Sequence, residues 1–343
     1  MSHERARWMP WLMAGAVSVT ALNVAIWLAG AAPTRVGALA LAGAFASPYG
    51  AAQTLAKATP LMLTGASVAF ALRAGLFNVG AEGQVAMGVL AAAWLGPKIP
   101  ASWPWPLGVL LVGCACALAG AALGGLAGWL KAKRNAHEVL TTLMLNGLAA
   151  VLTTWLYGGP MRLGAQVHTA QVSVGARLPT LDRWLNSLHG SALSLAVILA
   201  LCAPWVAHAY LQRTTGGLRI RALGASPTAA RALGISVAAT QTRTMAISGA
   251  LAGLCGVHYV LGFKGYAEDG LGAGVGFAGI AVAMLGAQTP WGIVAAALFF
   301  GALAQGGLSV NAVVPSDTLA LVQSVVLVSV GAVVGRDLAR RKA

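Results

Sequence analysis

The sequence predicts an all-α fold: a polytopic membrane protein of about ten transmembrane helices with both termini cytoplasmic. Three observations carry this. Hydrophobic residues make up 58% of the chain and charged residues only 9%, where a soluble domain carries about 25% charged residues. Apolar runs near the bilayer-crossing length of about 20 residues follow one another, with no hydrophilic stretch large enough for a separate soluble domain, so 1–343 is a single domain. The basic residues gather in alternate breaks between those runs.

Residues 11–31 are almost uninterrupted apolar residues behind Arg5 and Arg7. Their Ala-rich end resembles a signal-peptidase site, but the run is longer than the roughly 7–15 residues of a signal core, which favours a retained span. An external segment, 33–57, leads to a second span ending at Leu72, and Arg73 marks its cytoplasmic end. The third span reaches Leu95. A rigid loop, 97–106, then places Trp103 and Trp105 at interface depth. The fourth span, 107–130, carries Gly120, Gly124 and Gly128, a spacing that lets another helix approach closely; 44 glycines in the chain make such pairs common by chance as well. Lys131, Lys133 and Arg134 follow, then a fifth span over 139–157 and the longest external stretch, 158–190. The sixth span is 191–211. Residues 212–243 form a cytoplasmic loop with five arginines and no acid. The seventh span, 244–263, precedes a Gly-rich external loop with Glu268 and Asp269. A short eighth span, 277–287, a ninth, 291–308, and a tenth, 318–334, complete the chain.

With the N-terminus inside, fifteen of the 22 Lys and Arg residues fall on the cytoplasmic side, as the positive-inside bias requires. Fusing spans eight and nine would put the basic C-terminus outside. The net charge of +14 therefore reads as loops facing anionic membrane lipid. Nucleic acid is not expected as a partner, because no basic run with interleaved aromatics occurs outside short loops. Cys114, Cys116, Cys202 and Cys255 lie in apolar runs without zinc-ligand spacing.

Two halves echo each other. Gly80-Ala-Glu-Gly83 opens the third span and Gly276-Phe-Ala-Gly279 the eighth. Pro106-Leu-Gly-Val opens the fourth and Pro290-Trp-Gly-Ile the ninth; His137-Glu138-x-Leu140 opens the fifth and Ser316-Asp317-x-Leu319 the tenth. Spans two to five and seven to ten thus read as an inverted repeat, an arrangement that places a translocation path at the repeat interface.

The stretch 76–87, LFNVGAEGQVAM, is too polar to face lipid, since a carboxylate near the bilayer centre costs roughly 2.5–3.5 kcal/mol on insertion scales. By span parity it is the inner of two Gly-rich breaks, the outer being 276–279. Asn78, Glu82, Gln84, Thr142 and Asn146 are the candidate pathway or gate residues; Glu82 equally suits fixing a glycine turn, and Glu138 capping a helix. No metal-ligand spacing, nucleophile–base set or phosphate-cradling G-x-x-x-x-G-K-S/T occurs, so no cofactor and no ATPase site is expected in this chain. In the cytoplasmic loop, Pro227 at a helix start followed by 228–233 predicts a short helix bracketed by Gly224 and Gly234, suited to docking on a partner or lying on anionic lipid.

LFNVGAEGQVAMG, NAHEVLTTLMLN, LRIRALGASPTAARALGI, AISGALAGLCGV and GFAGIAVAMLGAQTPWGIVAAALFFGAL together resemble permease subunits of bacterial ABC importers. The superfamily is that of branched-chain amino acid and ribose permeases, and the branch that of simple sugars and nucleosides. The resemblance covers about 54–335, with 1–53 preceding it. It implies a permease of the bacterial cytoplasmic (inner) membrane, paired with itself or a sister permease. It implies two cytoplasmic ATPase subunits, which would carry the ATP and Mg, and an extracytoplasmic solute-binding protein. By resemblance, Leu218, Arg219, Arg221, Ala222, Gly224, Pro227, Ala230, Arg231 and Gly234 form the coupling region that docks on the ATPase. His137 departs from the Asn common at that place in the family. A branched-chain amino acid permease and an ion-coupled secondary transporter are the alternatives.

Overall fold

A computed structural model describes residues 32–311 and the isolated positions 20 and 27. Apart from those two positions, the expected first span lies outside the described residues, as does the tenth with its basic tail. The described residues are helical, with two isolated β-bridges. The helices are α1 (Pro33–Phe45), α2 (Pro48–Leu72), α3 (Ala81–Leu95), α4 (Trp105–Arg134), α5 (Glu138–Gly158), α6 (Ala196–Arg213), α7 (Thr215–Ala225), α8 (Pro227–Ala232), α9 (Val237–Gly253), α10 (Val275–Leu285) and α11 (Pro290–Val310). A π-wound stretch, Val257–Lys264, follows α9. Five stretches among the described residues are long and apolar enough to cross a membrane: α2, α4, α5, α9 with its π extension, and α11.

Several expectations need correcting. Segment 33–57, expected as an external segment ahead of the second span, is helical, and α2 begins at Pro48, well before that span was expected to start. α9 starts at Val237, seven residues before the expected 244, because Ser236 caps it by accepting from the Ala239 N–H at 3.4 Å. Its polar first turns made that start invisible to hydropathy. The eighth span is α10, 11 residues long; at 1.5 Å per residue it rises about 16 Å, half of a hydrocarbon core of about 30 Å.

The chain forms two units, residues 1–57 with 298–343, and 58–297. In the first, the Lys57 ammonium donates to the Ala304 carbonyl at 3.1 Å and Thr54 Oγ1 to the Ala44 carbonyl at 3.1 Å. The second holds the candidate site. Its most extensive helix pair is α4 with α9. The expected small-residue face is used here: a Cβ on Gly120 would collide with the Gly249 carbonyl, and one on Gly249 with the Gly120 carbonyl. Only at such positions can two backbones come this close.

α2 and α9 run antiparallel, since Ser67 meets Ser248 at 3.0 Å and the Cys255 thiol reaches the Pro60 carbonyl at 3.6 Å. After each, the chain returns in irregular backbone, 73–80 and 265–274, before winding into α3 or α10. The far end of α3 lies with that of the α9 extension. The Ser173 N–H donates to the Gly96 carbonyl at 3.2 Å and the Val172 N–H to Gly265 at 2.7 Å. The far end of α10 lies with that of α2, where Arg73 donates to the Gln288 carbonyl at 2.9 Å. So α3 and α10 point away from each other, as an inverted pair does.

Candidate functional site

The two Gly-rich breaks meet. Glu82, in the first turn of α3, accepts from the Gly274 N–H at 2.5 Å through one carboxylate oxygen and from the Gly276 N–H at 2.8 Å through the other. Gly276 is so close to the start of α3 that a Cβ there would collide with the Glu82 backbone. This overturns the placement of 76–87 and 276–279 on opposite sides of the membrane. The physical reason is that irregular return segments carry the chain partway back before either helix begins, so both start at shared depth. One carboxylate thereby serves two helix N-termini, each favouring negative charge, and supplies partners for amides that the first turn of α10 leaves unpaired.

Beside this junction sits a buried polar cluster. Asn78 is fully buried and Gln84 nearly so. The Asn78 amide donates to Gln84 Oε1 at 2.9 Å and to Ser248 Oγ at 2.8 Å, and its oxygen accepts from the Gly80 N–H at 3.0 Å and from Gln84 Nε2 at 3.1 Å. Ser248 in turn donates to the Ser67 carbonyl at 2.7 Å. Both amides are satisfied from within, as buried polar groups are, so their work here is to hold the break. Asn146 of α5 clamps the same turn, accepting from the Gly83 N–H at 2.8 Å and donating to the Val79 carbonyl at 2.9 Å. Thr142 is buried beneath Gly80, its hydroxyl returned to the Glu138 carbonyl at 2.8 Å. The structure thus brings together all five pathway candidates. Sequence reasoning missed Ser67, Ser248 and Gly274; two serines in apolar helices were the available signal. Glu138 pairs with Lys131 at 3.0 Å, tying the end of α4 to the start of α5.

A cavity of about 120 Å³ opens beside Glu82 and Asn146, between α3, α5 and the turn 268–273.

The loop expected on the cytoplasmic side forms two helices, α7 and α8, where one was expected. Thr214 caps α7 by accepting from the Gly217 N–H at 3.0 Å, and Ser226 caps α8 by accepting from Ala229 at 3.2 Å. Pro227 takes the first position of α8, and Gly234, at φ +75°, ends it. Ile220 and Leu223 of α7 join a buried cluster with Phe70, Leu76, Leu211 and Met245. Gly224 lies against the Arg73 carbonyl, with no room for a side chain. Half-burial lowers the Arg73 pKa, yet an arginine keeps its charge. Ala230 is buried, Ala222 half-buried, and Arg221 donates to Gln212 at 3.1 Å. Leu218, Arg219, Pro227, Arg231 and Leu233 remain exposed, an apolar and basic face with no acid.

A model of the family described as branched-chain amino acid transport system / permease component matches residues 50–331. The chain belongs to this family. The permease is similar to the guanosine ABC transporter permease protein NupP of Bacillus subtilis (strain 168), with 36% identity over 295 residues that cover 84% of this chain and 82% of the relative. It is 33% identical to the nucleoside ABC transporter permease protein NupB of Lactococcus lactis subsp. cremoris, over 80% of this chain and 77% of that one. It is 31% identical to the glucose ABC transporter permease protein TsgB13 of Haloferax volcanii, over 92% and 83% respectively. No solved structure matches the permease significantly. The family match spans both the Glu82 junction and the α7–α8 pair. With its apolar helices, the permease is a multi-pass membrane protein.

Proposed function

We propose that this permease is the membrane-spanning subunit of an ATP-driven importer, carrying a nucleoside or simple sugar across the cytoplasmic membrane. It works with cytoplasmic ATPase subunits, a second permease subunit and an extracytoplasmic binding protein. The chain performs no covalent chemistry; ATP is hydrolysed on the partner. The observation that carries this reading is the contact route from the exposed α7–α8 face to the junction. Leu223 and Gly224 pack on the turn that begins at Arg73, that turn continues into Leu76 and Asn78, and Glu82 joins α3 to α10. A push on α7 therefore reaches two half-helices through packed groups and hydrogen bonds. The names of similar nucleoside and glucose permeases support the substrate class. A second permease suits the outward faces of α4 and α5, whose apolar windows are only 33% and 28% buried; the remainder of those faces meets lipid.

The test is uptake of labelled nucleoside and sugar by cells carrying the permease, with and without intact ATPase partners. Uptake that stops when the ATPase is inactivated is expected. Uptake that persists, driven by an ion gradient, would overturn the assignment in favour of a secondary transporter.

A further inference from the structure

We propose that the cavity beside Glu82 is a subsite for the vicinal hydroxyls of a ring sugar, with Asp269 and Tyr157 as its specificity-determining groups. The inference rests on the nucleoside or sugar reading above and adds where the sugar is read.

The size selects the ligand part. An apolar cavity of about 150 Å³ takes one benzene ring, so this space of about 120 Å³ takes a single sugar ring and not a whole nucleoside. Val85 and Val89 of α3 give it an apolar wall, against which the C–H face of a sugar can lie.

The polar groups have unused capacity. Asp269 accepts from Thr154 Oγ1 at 2.9 Å through one oxygen, and its other carboxylate oxygen has no partner among the described residues. Tyr157 also lines the cavity and is 3% exposed, yet its hydroxyl has no hydrogen-bond partner among the described residues. Buried hydroxyls are normally bonded, so this one is a group waiting for a ligand atom. A carboxylate only accepts, while a phenol both donates and accepts. Together they match a diol, whose hydroxyl protons go to the carboxylate and whose oxygens can take the phenol's proton. An acidic residue reads the ribose hydroxyls of dinucleotides by the same chemistry. A metal cage is not the alternative: no group of three or more His, Cys, Asp or Glu among the described residues could hold an ion, and Glu268 is engaged by Lys264. The subsite also touches Glu82, so its occupant contacts the carboxylate that joins the half-helices.

The experiment reconstitutes the complete importer, with its ATPase, partner permease and binding protein, in proteoliposomes. It measures ATP-driven uptake of guanosine and 2′-deoxyguanosine by the wild type, Tyr157→Phe and Asp269→Asn. Discrimination by the binding protein cancels in the comparison, because the same protein delivers both ligands to all three permeases. The expected result is a ribo-to-deoxy uptake ratio that falls roughly tenfold in Asp269→Asn, about the worth of one hydrogen bond to a charged group, and falls in the same direction in Tyr157→Phe. Both substitutions are nearly isosteric, and basal ATPase activity checks assembly. A ratio unchanged in both variants overturns the subsite and leaves the nucleoside reading standing. Absence of ATP-driven uptake of any nucleoside or sugar by the wild type overturns that reading, and the subsite with it.

Discussion

Replacing Glu82 with Gln tests the junction directly. The carboxylate makes two charge-assisted hydrogen bonds, to the Gly274 and Gly276 amides, each worth about 1.5–3 kcal/mol. The amide of Gln has one acceptor oxygen. It keeps one bond, now neutral and worth about 1 kcal/mol, and turns an NH₂ toward the other backbone N–H. The attraction of a carboxylate to the helix N-terminus, about 0.3–1 kcal/mol, is lost as well. Because the Gly274 bond is exposed, the lower end of this range applies, a net loss of about 2 kcal/mol for holding the start of α10. With tenfold per 1.4 kcal/mol, local opening there becomes about 30-fold more populated. Hydrogen–deuterium exchange of a peptide spanning 270–280, in lipid nanodiscs, reads this opening. Amide exchange at 274–278 should accelerate by about that factor while peptides from α4 and α9 stay unchanged. Acceleration below about threefold would refute the claim that Glu82 joins the half-helices.

Three further outcomes follow from the same contacts. Asn146→Leu strands the Gly83 N–H and the Val79 carbonyl without partners, at about 1–3 kcal/mol per buried group. A loss of about 2–6 kcal/mol should appear as a lower thermal unfolding midpoint in detergent, and an unchanged midpoint would rule out the clamp. Gly120→Leu drives a side chain into the Gly249 backbone. Overpacking of this kind costs about 1–3 kcal/mol or more, so the yield of monodisperse protein on size exclusion should collapse, whereas Gly147→Ala, where a Cβ meets nothing, should be neutral. Arg231→Glu, on the exposed face of α8, should lower substrate-stimulated ATPase activity of the assembled transporter at least about tenfold while membrane insertion, read by fractionation, is preserved; normal stimulation would remove Arg231 from the coupling surface.

Membrane residence and the α4 small-residue face were legible because composition and spacing are local properties. So was α8, announced by Pro227 and bracketed by Gly224 and Gly234. α1 was not, since an Ala-rich segment reads alike as helix or loop until it packs. The second loop helix, α7, was missed because its mixed composition hides Ile220 and Leu223, whose role is set by what they pack against. At the site, Asn78, Glu82, Gln84 and Asn146 were singled out as polar groups in apolar surroundings and the structure brings them together, but span parity set them apart from the 276–279 break that Glu82 joins.

By itself the sequence determined that this chain lives in a membrane, that its basic residues gather in alternate breaks between apolar runs, and that two Gly-rich breaks recur in its halves. Only the tertiary structure decided that those breaks touch. The Glu82 carboxylate and the Gly274 and Gly276 amides are separated by 192 and 194 residues, and hydropathy weighs each residue with its chain neighbours alone. Whether a polar break faces water, substrate or another backbone depends on which distant groups satisfy it, and that choice is made when the helices pack.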